Sequence, residues 1–187
     1  RMGDEAVAAI TIATTIQDIV VVLFQGLSAA TAVILGNELG AGKLKRAEKY
    51  ATQFFILQFI VTMAAAMVVI GIRWPIISLY NITAEVGRDV NMCILIFAAY
   101  MPAKMFNYVN VVGVLRSGGD TKMCLFLDTS GVWVIGVPLA FLGALVWHLP
   151  IYAVYGLVML EEVYKAILGY IRYRQKKWLR NLAVEVP

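Results

Sequence analysis

The sequence predicts an all-α protein that crosses a membrane about five times. Its residues are 61% hydrophobic and only 15% charged, whereas soluble domains are about half apolar and about a quarter charged. The mean hydropathy is +0.78. Apolar residues are also grouped into long runs, which points to lipid contact rather than to one large core. Because lipid offers no hydrogen-bond partners, each run must satisfy its own backbone, and this requirement favours helices.

Five apolar runs have the length of a membrane-spanning helix, which needs about 20 residues. Glycines and prolines separate them and mark the turns. An outer-membrane barrel is excluded because the runs are too long and too uniformly apolar for alternating strands. We therefore predict one transmembrane domain over residues 1–187, with a basic tail at 171–187 and spans at 6–35, 50–72, 90–115, 123–147 and 151–170.

Basic residues alternate between the two sides of these spans and predict the orientation. The loop after the first span is rich in lysine and arginine, and so is the tail; the opposite side carries only Arg1, Arg73 and Arg88. The basic side is expected to be cytoplasmic. The sequence thus predicts a multi-pass protein of the plasma membrane with a cytoplasmic C-terminus. Trp74, Trp147 and Trp178 lie at span ends, where interfacial aromatics are favoured.

Two further interpretations concern the chain ends. An odd number of spans with an outside N-terminus predicts that one or more helices precede Arg1. The basic tail follows a span directly, so attraction to anionic membrane lipid explains it more simply than nucleic-acid binding does. Lipid is therefore an expected partner, and nucleic acid is not.

No motif in the sequence supports nucleotide binding, metal binding or hydrolysis. The stretch from Gly36 to Lys43 approaches a phosphate-binding loop, but its spacing is wrong and Leu44 replaces the required Ser or Thr. The lone His148 cannot build a histidine metal site, and Cys93 and Cys124 lack metal-type spacing. Without a Ser–His pair, paired aspartates or a zinc motif, we predict that the chain is not an enzyme and holds no cofactor.

Several short motifs occur in a distinctive order. Gly3-Asp-Glu-Ala-Val-Ala-Ala9 opens the first span, Gly36-Asn-Glu-Leu-Gly-Ala-Gly42 closes it, and Gly113-Val-Leu-Arg-Ser-Gly-Gly-Asp-Thr121 follows the third. Pro138-Leu-Ala140 and Lys177-Trp178 come later. This order resembles the C-terminal half of the multidrug and toxic compound extrusion (MATE) transporters.

The resemblance implies a fold and a function. Members have twelve helices in two six-helix lobes, so this chain would be helices eight to twelve, and its partner would be a missing N-terminal lobe. It implies an antiporter that exports drugs or cationic small molecules in exchange for sodium or protons. Some members use a carboxylate pair in the second lobe, but residues 104–110 contain no acid. Two alternatives stay open: a flippase for lipid-linked precursors on the same superfold, and an inactive lobe, because the site is expected between repeats.

Polar groups on the first span are the first site candidates. A charge inside a bilayer costs at least a few kcal/mol, so it should face a partner or a cavity. Thr14, Asp18 and Gln25 are spaced by four and seven residues and share one helix face. Two interpretations are open. Either these side chains line a central cavity, with Asp18 as a cation or proton site, or they form hydrogen bonds across packed helices.

Polar groups on the later spans are the second set of candidates. Lys104, Asn107 and Asn110 follow Pro102 at three-residue steps, which predicts a polar face on a kinked helix that either moves or is static. Asp128 on the fourth span is the predicted ion-pair partner of Lys104, with a proton relay as the alternative. On the fifth span, the i, i+4 spacing of Glu161 and Lys165 predicts a self-neutralised helix.

Overall fold

The computed structural model describes residues 4–181, and within them the chain forms five long helices and no strand. The all-α prediction is confirmed, and each predicted span lies within one helix except for residue 147, which follows the fourth helix; the helices extend up to six residues beyond the predicted limits. The helices are α1 (Asp4–Gly40), α2 (Leu44–Ser78), α3 (Ala84–Leu115), α4 (Thr121–Val146) and α5 (Ile151–Arg174).

Four of these helices, α1 to α4, are long and apolar enough to cross a membrane, counting only the part of the chain that the structure describes. Helix α5 has the length but carries Glu161, Glu162 and Lys165 in its middle. By composition alone α5 therefore does not qualify as a membrane-spanning helix, and the fifth span stays a prediction. On α2 the lipid-facing character is clear, since Phe59, Ile60 and Met67 are each more than half exposed.

Glycine shapes the two short loops that follow α1 and α3. Gly42 has φ of 71° and Gly119 has φ of 73°, in the left-handed region that glycine adopts without strain. Around Gly42, Lys43 N donates to Glu38 O at 2.8 Å; around Gly119, Asp120 N donates to Leu115 O at 3.0 Å. Both are the six-to-one bond of a Schellman cap. The sequence interpretation of these glycines as turn formers is confirmed.

Small residues let α1 and α3 approach closely. A side chain on Gly113 would meet Thr31 at 3.0 Å and the Ser28 carbonyl oxygen at 3.3 Å. The buried hydroxyls of Ser28 and Thr31 donate to carbonyls of their own helix, Phe24 O and Leu27 O. Both hydroxyls are therefore paired within α1, and the close approach follows the rule that small residues mediate helix contacts in membranes.

Helices α3 and α4 change their winding in mid-course. α3 is α-helical to Asn107 and π-helical over Tyr108–Leu115. α4 contains π-helical segments at Gly131–Gly136 and Leu142–Val146. π-helical turns are rare and are frequent at functional sites, and the first two of these segments adjoin the polar cavity considered below.

The segment after α5 folds back onto the bundle and corrects one sequence interpretation. Trp74 and Trp147 are exposed near helix ends, as expected for interfacial aromatics, but Trp178 is fully buried. Its ring stacks on Tyr173 at 5.6 Å. Arg172 forms a fork on Asp120, with Nη2 to Oδ1 at 2.9 Å, and this hydrogen bonding raises the pKa of Arg172. Trp178 and Arg172 therefore pack against protein, while Arg174, Lys176 and Lys177 stay exposed.

Candidate functional site

A polar cavity of about 310 Å³ lies between α3, α4 and α5. Three carboxylates and two ammonium groups face it, together with one carboxamide and apolar side chains of the α3 π-helical segment. The polar lining residues are Lys104, Asn107, Tyr108, Asp128, Glu161, Glu162 and Lys165.

Glu162 is the central carboxylate of this cavity. Lys104 Nζ lies 2.9 Å from its Oε1, and the two side chains are only 12% and 6% exposed. Asn107 Nδ2 donates to Glu162 Oε2 at 2.9 Å and to the Glu162 carbonyl oxygen at 2.8 Å. Both oxygens of the carboxylate are thus occupied. An ion pair this well buried is tolerated because the remaining lone pairs are also hydrogen-bonded.

Lys165 lies between the two glutamates of its own helix. Its Nζ is 3.4 Å from Glu161 Oε1 and 3.6 Å from Glu162 Oε2. The predicted i, i+4 pair with Glu161 is confirmed. Glycines of α4 make room for these side chains: a Cβ on Gly131 would meet Lys165 at 2.9 Å, and one on Gly136 would meet Glu161 Oε2 at 2.6 Å.

The predicted ion pair between Lys104 and Asp128 is wrong. Lys104 pairs with Glu162 across the contact between α3 and α5 instead. Asp128 lines the same cavity but is exposed, and within residues 4–181 it forms no ion pair shorter than 4 Å. The physical reason is geometric: α3 and α5 pack closely, and Glu162 reaches the ammonium with a buried, doubly hydrogen-bonded carboxylate.

Asn110 is a buried carboxamide with no hydrogen bond among residues 4–181. It is fully buried, and within that part of the chain neither its Nδ2 nor its Oδ1 has a partner; Asn107 Oδ1 is also unpaired there. A side chain on Gly169 would meet Asn110 Nδ2 at 2.8 Å, so α5 passes directly over the carboxamide. An unpaired buried amide costs about 1–3 kcal/mol, so Asn110 is a site where function or hydration offsets a stability cost.

Replacing Asn110 with leucine, which has a similar shape, is expected to stabilise the full-length protein by about 1 kcal/mol, because the change removes an unpaired buried amide. Thermal unfolding in detergent measures the effect. Asn107→Leu is the matched control and should destabilise, since its Nδ2 makes two hydrogen bonds to Glu162. A loss of stability in Asn110→Leu as large as that in Asn107→Leu would show that Asn110 has a partner after all.

The face of α1 that carries Thr14, Asp18 and Gln25, named the polar stripe from here on, points away from the bundle. Asp18 and Gln25 are exposed and Thr14 is half-buried, and Thr14 Oγ1 donates to Ile10 O of its own helix at 2.9 Å. Within residues 4–181 neither Asp18 nor Gln25 is bonded to another helix. The interhelical-bonding alternative therefore finds no support among the described helices. Small and polar residues continue the face: Thr11, Thr15, Ala29 and Gly36.

Sequence reasoning missed two polar contacts of α5. The predicted pair of Glu161 and Lys165 left Glu162 without a partner on another helix, although adjacent residues point about 100° apart and the two glutamates therefore face different neighbours. That offset was the available signal for a second partner. Tyr155 also donates to Gln17 Oε1 at 2.7 Å, joining α5 to α1. No sequence signal paired these two residues.

Comparison with known proteins gives a family match over most of the chain. The family model described as MatE matches residues 1–142. Those residues include α1, α2 and α3 and most of α4, so they contain the polar stripe and the α3 and α4 sides of the polar cavity.

Individual relatives agree with this match. Multidrug resistance protein MdtK of Yersinia pseudotuberculosis serotype O:1b is 29% identical over 75% of this chain and 31% of its own length. MdtK of Yersinia pestis (strain Pestoides F) has the same identity and coverage. The transporter YisQ of Bacillus subtilis is 20% identical over 96% of this chain and 39% of its own. The chain spans about a third of the length of the curated relatives that it matches.

Proposed function

The chain belongs to the MatE family, and from this premise we propose that the full-length protein is a secondary antiporter that exports cationic small molecules or drugs. The antiport uses an inward sodium or proton gradient, and this chain is most of the second lobe. The family match over residues 1–142 carries the proposal. The printed name of the MdtK relatives, multidrug resistance protein, supports the substrate class.

The α1 stripe is the proposed wall of the transport path. Asp18 and Gln25 face outward from the five helices, and an acid at mid-span requires a partner or an aqueous cavity. A missing N-terminal lobe supplies the opposite wall, with the substrate between the lobes. The carboxylate of Asp18 then attracts a cationic substrate, and the small residues beside it leave space for one.

The polar cavity is the proposed coupling site. Three carboxylates there face two ammonium groups, so full ionisation leaves one excess negative charge. Taking up one proton or one sodium ion neutralises the group. Asp128 is the best-placed receptor because it is exposed and forms no ion pair within residues 4–181, whereas Glu162 is already bonded to Lys104 and Asn107.

The proposed setting is the plasma membrane with the C-terminus in the cytoplasm. The loops after α1 and α3 lie at the same end of the bundle as the tail, since Arg172 bonds Asp120 and Lys176 bonds Glu48. These segments hold most of the basic residues, which supports a cytoplasmic location for that end.

Export of ethidium from cells that lack their own pumps tests the function. The full-length protein is compared with the 187-residue segment under imposed sodium or proton gradients. Gradient-driven export by the full-length protein alone supports the antiporter and its division into lobes. Lack of export by either, with both confirmed in the membrane, contradicts the cargo and moves the flippase and inactive-lobe alternatives ahead.

Asp18→Asn in the full-length protein is expected to lower ion-coupled ethidium export at least tenfold while expression is unchanged, because the carboxylate on the transport face loses its charge. Glu85→Gln is the matched control: it neutralises an exposed acid in the first turn of α3, away from the stripe. Normal export by Asp18→Asn would remove Asp18 from the transport path.

A further inference from the structure

A second cavity, of about 520 Å³, lies at the loop end of the bundle between the start of α2, the end of α5 and the tail. Its charged lining residues are Glu48, Arg174 and Lys176, and its hydroxyls come from Thr52, Tyr170 and Tyr173. Phe55, Trp178 and Leu179 form the apolar part. None of these residues belongs to the polar stripe or to the polar cavity.

The charges of this cavity favour an anion. Lys176 Nζ lies 2.6 Å from Glu48 Oε1, so that carboxylate is already paired. Arg174 Nη1 donates to the Tyr170 hydroxyl at 3.3 Å, which leaves the other donors of its guanidinium available. Two cationic groups against one carboxylate give a net charge of +1, which repels an organic cation and matches a monoanionic phosphodiester.

The surroundings of the cavity favour a lipid as the source of that phosphodiester. Phe59, one helical turn beyond Phe55, is 55% exposed, and Ile167, about one turn before Tyr170, is 57% exposed. Both are apolar and point to a lipid-facing surface directly below the charged lining. A polar, cationic cavity above an apolar surface at the end of membrane helices is the arrangement that binds phospholipid headgroups.

We propose that this cavity binds the phosphodiester of a monoanionic phospholipid, such as phosphatidylglycerol. Arg174 and Lys176 donate to the phosphate oxygens, and the acyl chains run along Phe59 and Ile167. The Thr52 and Tyr173 hydroxyls are bonded to each other at 3.3 Å, and Thr52 Oγ1 donates to Glu48 O at 3.1 Å, so the two cations supply the donors to the phosphate. Bound lipid then joins α2 to the tail.

The test measures binding of dioleoyl phosphatidylglycerol to the purified full-length protein by native mass spectrometry. The double variant Arg174→Gln/Lys176→Gln is expected to bind the lipid roughly thirtyfold more weakly, the effect of removing two membrane-facing cations. Lys45→Gln/Lys177→Gln is the matched control: it removes two exposed cations from the same end, and neither lines the cavity. The control should bind within about threefold of the parent protein.

Three outcomes overturn the proposal. Equal weakening in both double variants shows diffuse attraction between a basic surface and anionic lipid. Unchanged binding in the Arg174/Lys176 variant, with melting temperature also unchanged, shows that the cavity is not the site. Displacement of the lipid by millimolar glycerol 3-phosphate shows that the cavity binds a soluble phosphoester instead.

Discussion

Lys104→Ala in the full-length protein is expected to lower the free energy of unfolding by about 3–5 kcal/mol, the cost of removing one partner of a buried ion pair. Glu162 then keeps a buried charge with only Asn107 and the more distant Lys165 nearby. The loss should appear as a lower melting temperature in detergent and a lower yield of folded protein. Lys122→Ala is the control, because Lys122 is exposed in the first turn of α4.

Charge reversal separates the two candidate partners of Lys104. Lys104→Glu/Glu162→Lys should recover part of the stability lost by either single change, and only part, because Asn107 Nδ2 can no longer donate to the side chain of residue 162. Lys104→Glu/Asp128→Lys should recover nothing. Rescue by the second pair and not by the first would contradict the contact at 2.9 Å between Lys104 and Glu162.

An apolar replacement separates structure from function at the same pair. Lys104→Leu/Glu162→Leu is expected to change stability little, since buried ion pairs are often replaceable by packed apolar residues. If the cavity serves ion coupling, this stable variant still loses gradient-driven export. Retained export would assign the pair a purely structural role and leave coupling to Asp128 or to the other lobe.

The helices could be predicted from the sequence because membrane spans obey strong local constraints. Length and apolarity set the spans, and the glycines at Gly42 and Gly119 set the turns, so each prediction depended on neighbours in sequence. Helix α5 shows the limit of that reading, because Glu161, Glu162 and Lys165 interrupt its hydropathy and are explained only by contacts with α3 and α4.

The site was harder to predict because it depends on which helix faces which. Lys104 had two acids on later helices within plausible reach, Asp128 and Glu162, and spacing along the chain does not distinguish them. Trp178 is a similar case: a tryptophan after a span is typical of the interface, yet here the tail turns back and buries it. In both cases the deciding fact is a long-range packing contact.

Gly118→Ala is the second change expected to have a large effect, a loss of about 3 kcal/mol that falls mainly on the tail. A Cβ at this position would lie 2.1 Å from the Trp178 carbonyl oxygen and 2.7 Å from its carbonyl carbon. A backbone atom cannot rotate away as a side chain can, so the tail must move. Moving it exposes Trp178, and the burial of a large apolar side chain contributes about 1.5–3 kcal/mol.

The same displacement breaks the anchoring hydrogen bonds of the tail. Arg180 Nε donates to Gly118 O, and its Nη2 donates to Gly119 O, both at 3.0 Å. Limited trypsin digestion should therefore cut Gly118→Ala after Lys176 or Lys177 much faster than it cuts the parent protein. Melting temperature in detergent supplies the independent measure of stability.

The loop after α1 provides the control for this prediction. Ala41 directly precedes the left-handed Gly42, as Gly118 directly precedes the left-handed Gly119, so the turn itself accepts a Cβ at that position. In the loop after α3, a Cβ at position 118 is excluded by the tail, which packs directly against Gly118. Gly40→Ala, with nothing within 4 Å of the new Cβ, should leave tail proteolysis unchanged. Equal sensitivity in the two variants would mean that turn geometry, rather than docking of the tail, selects the glycine at 118.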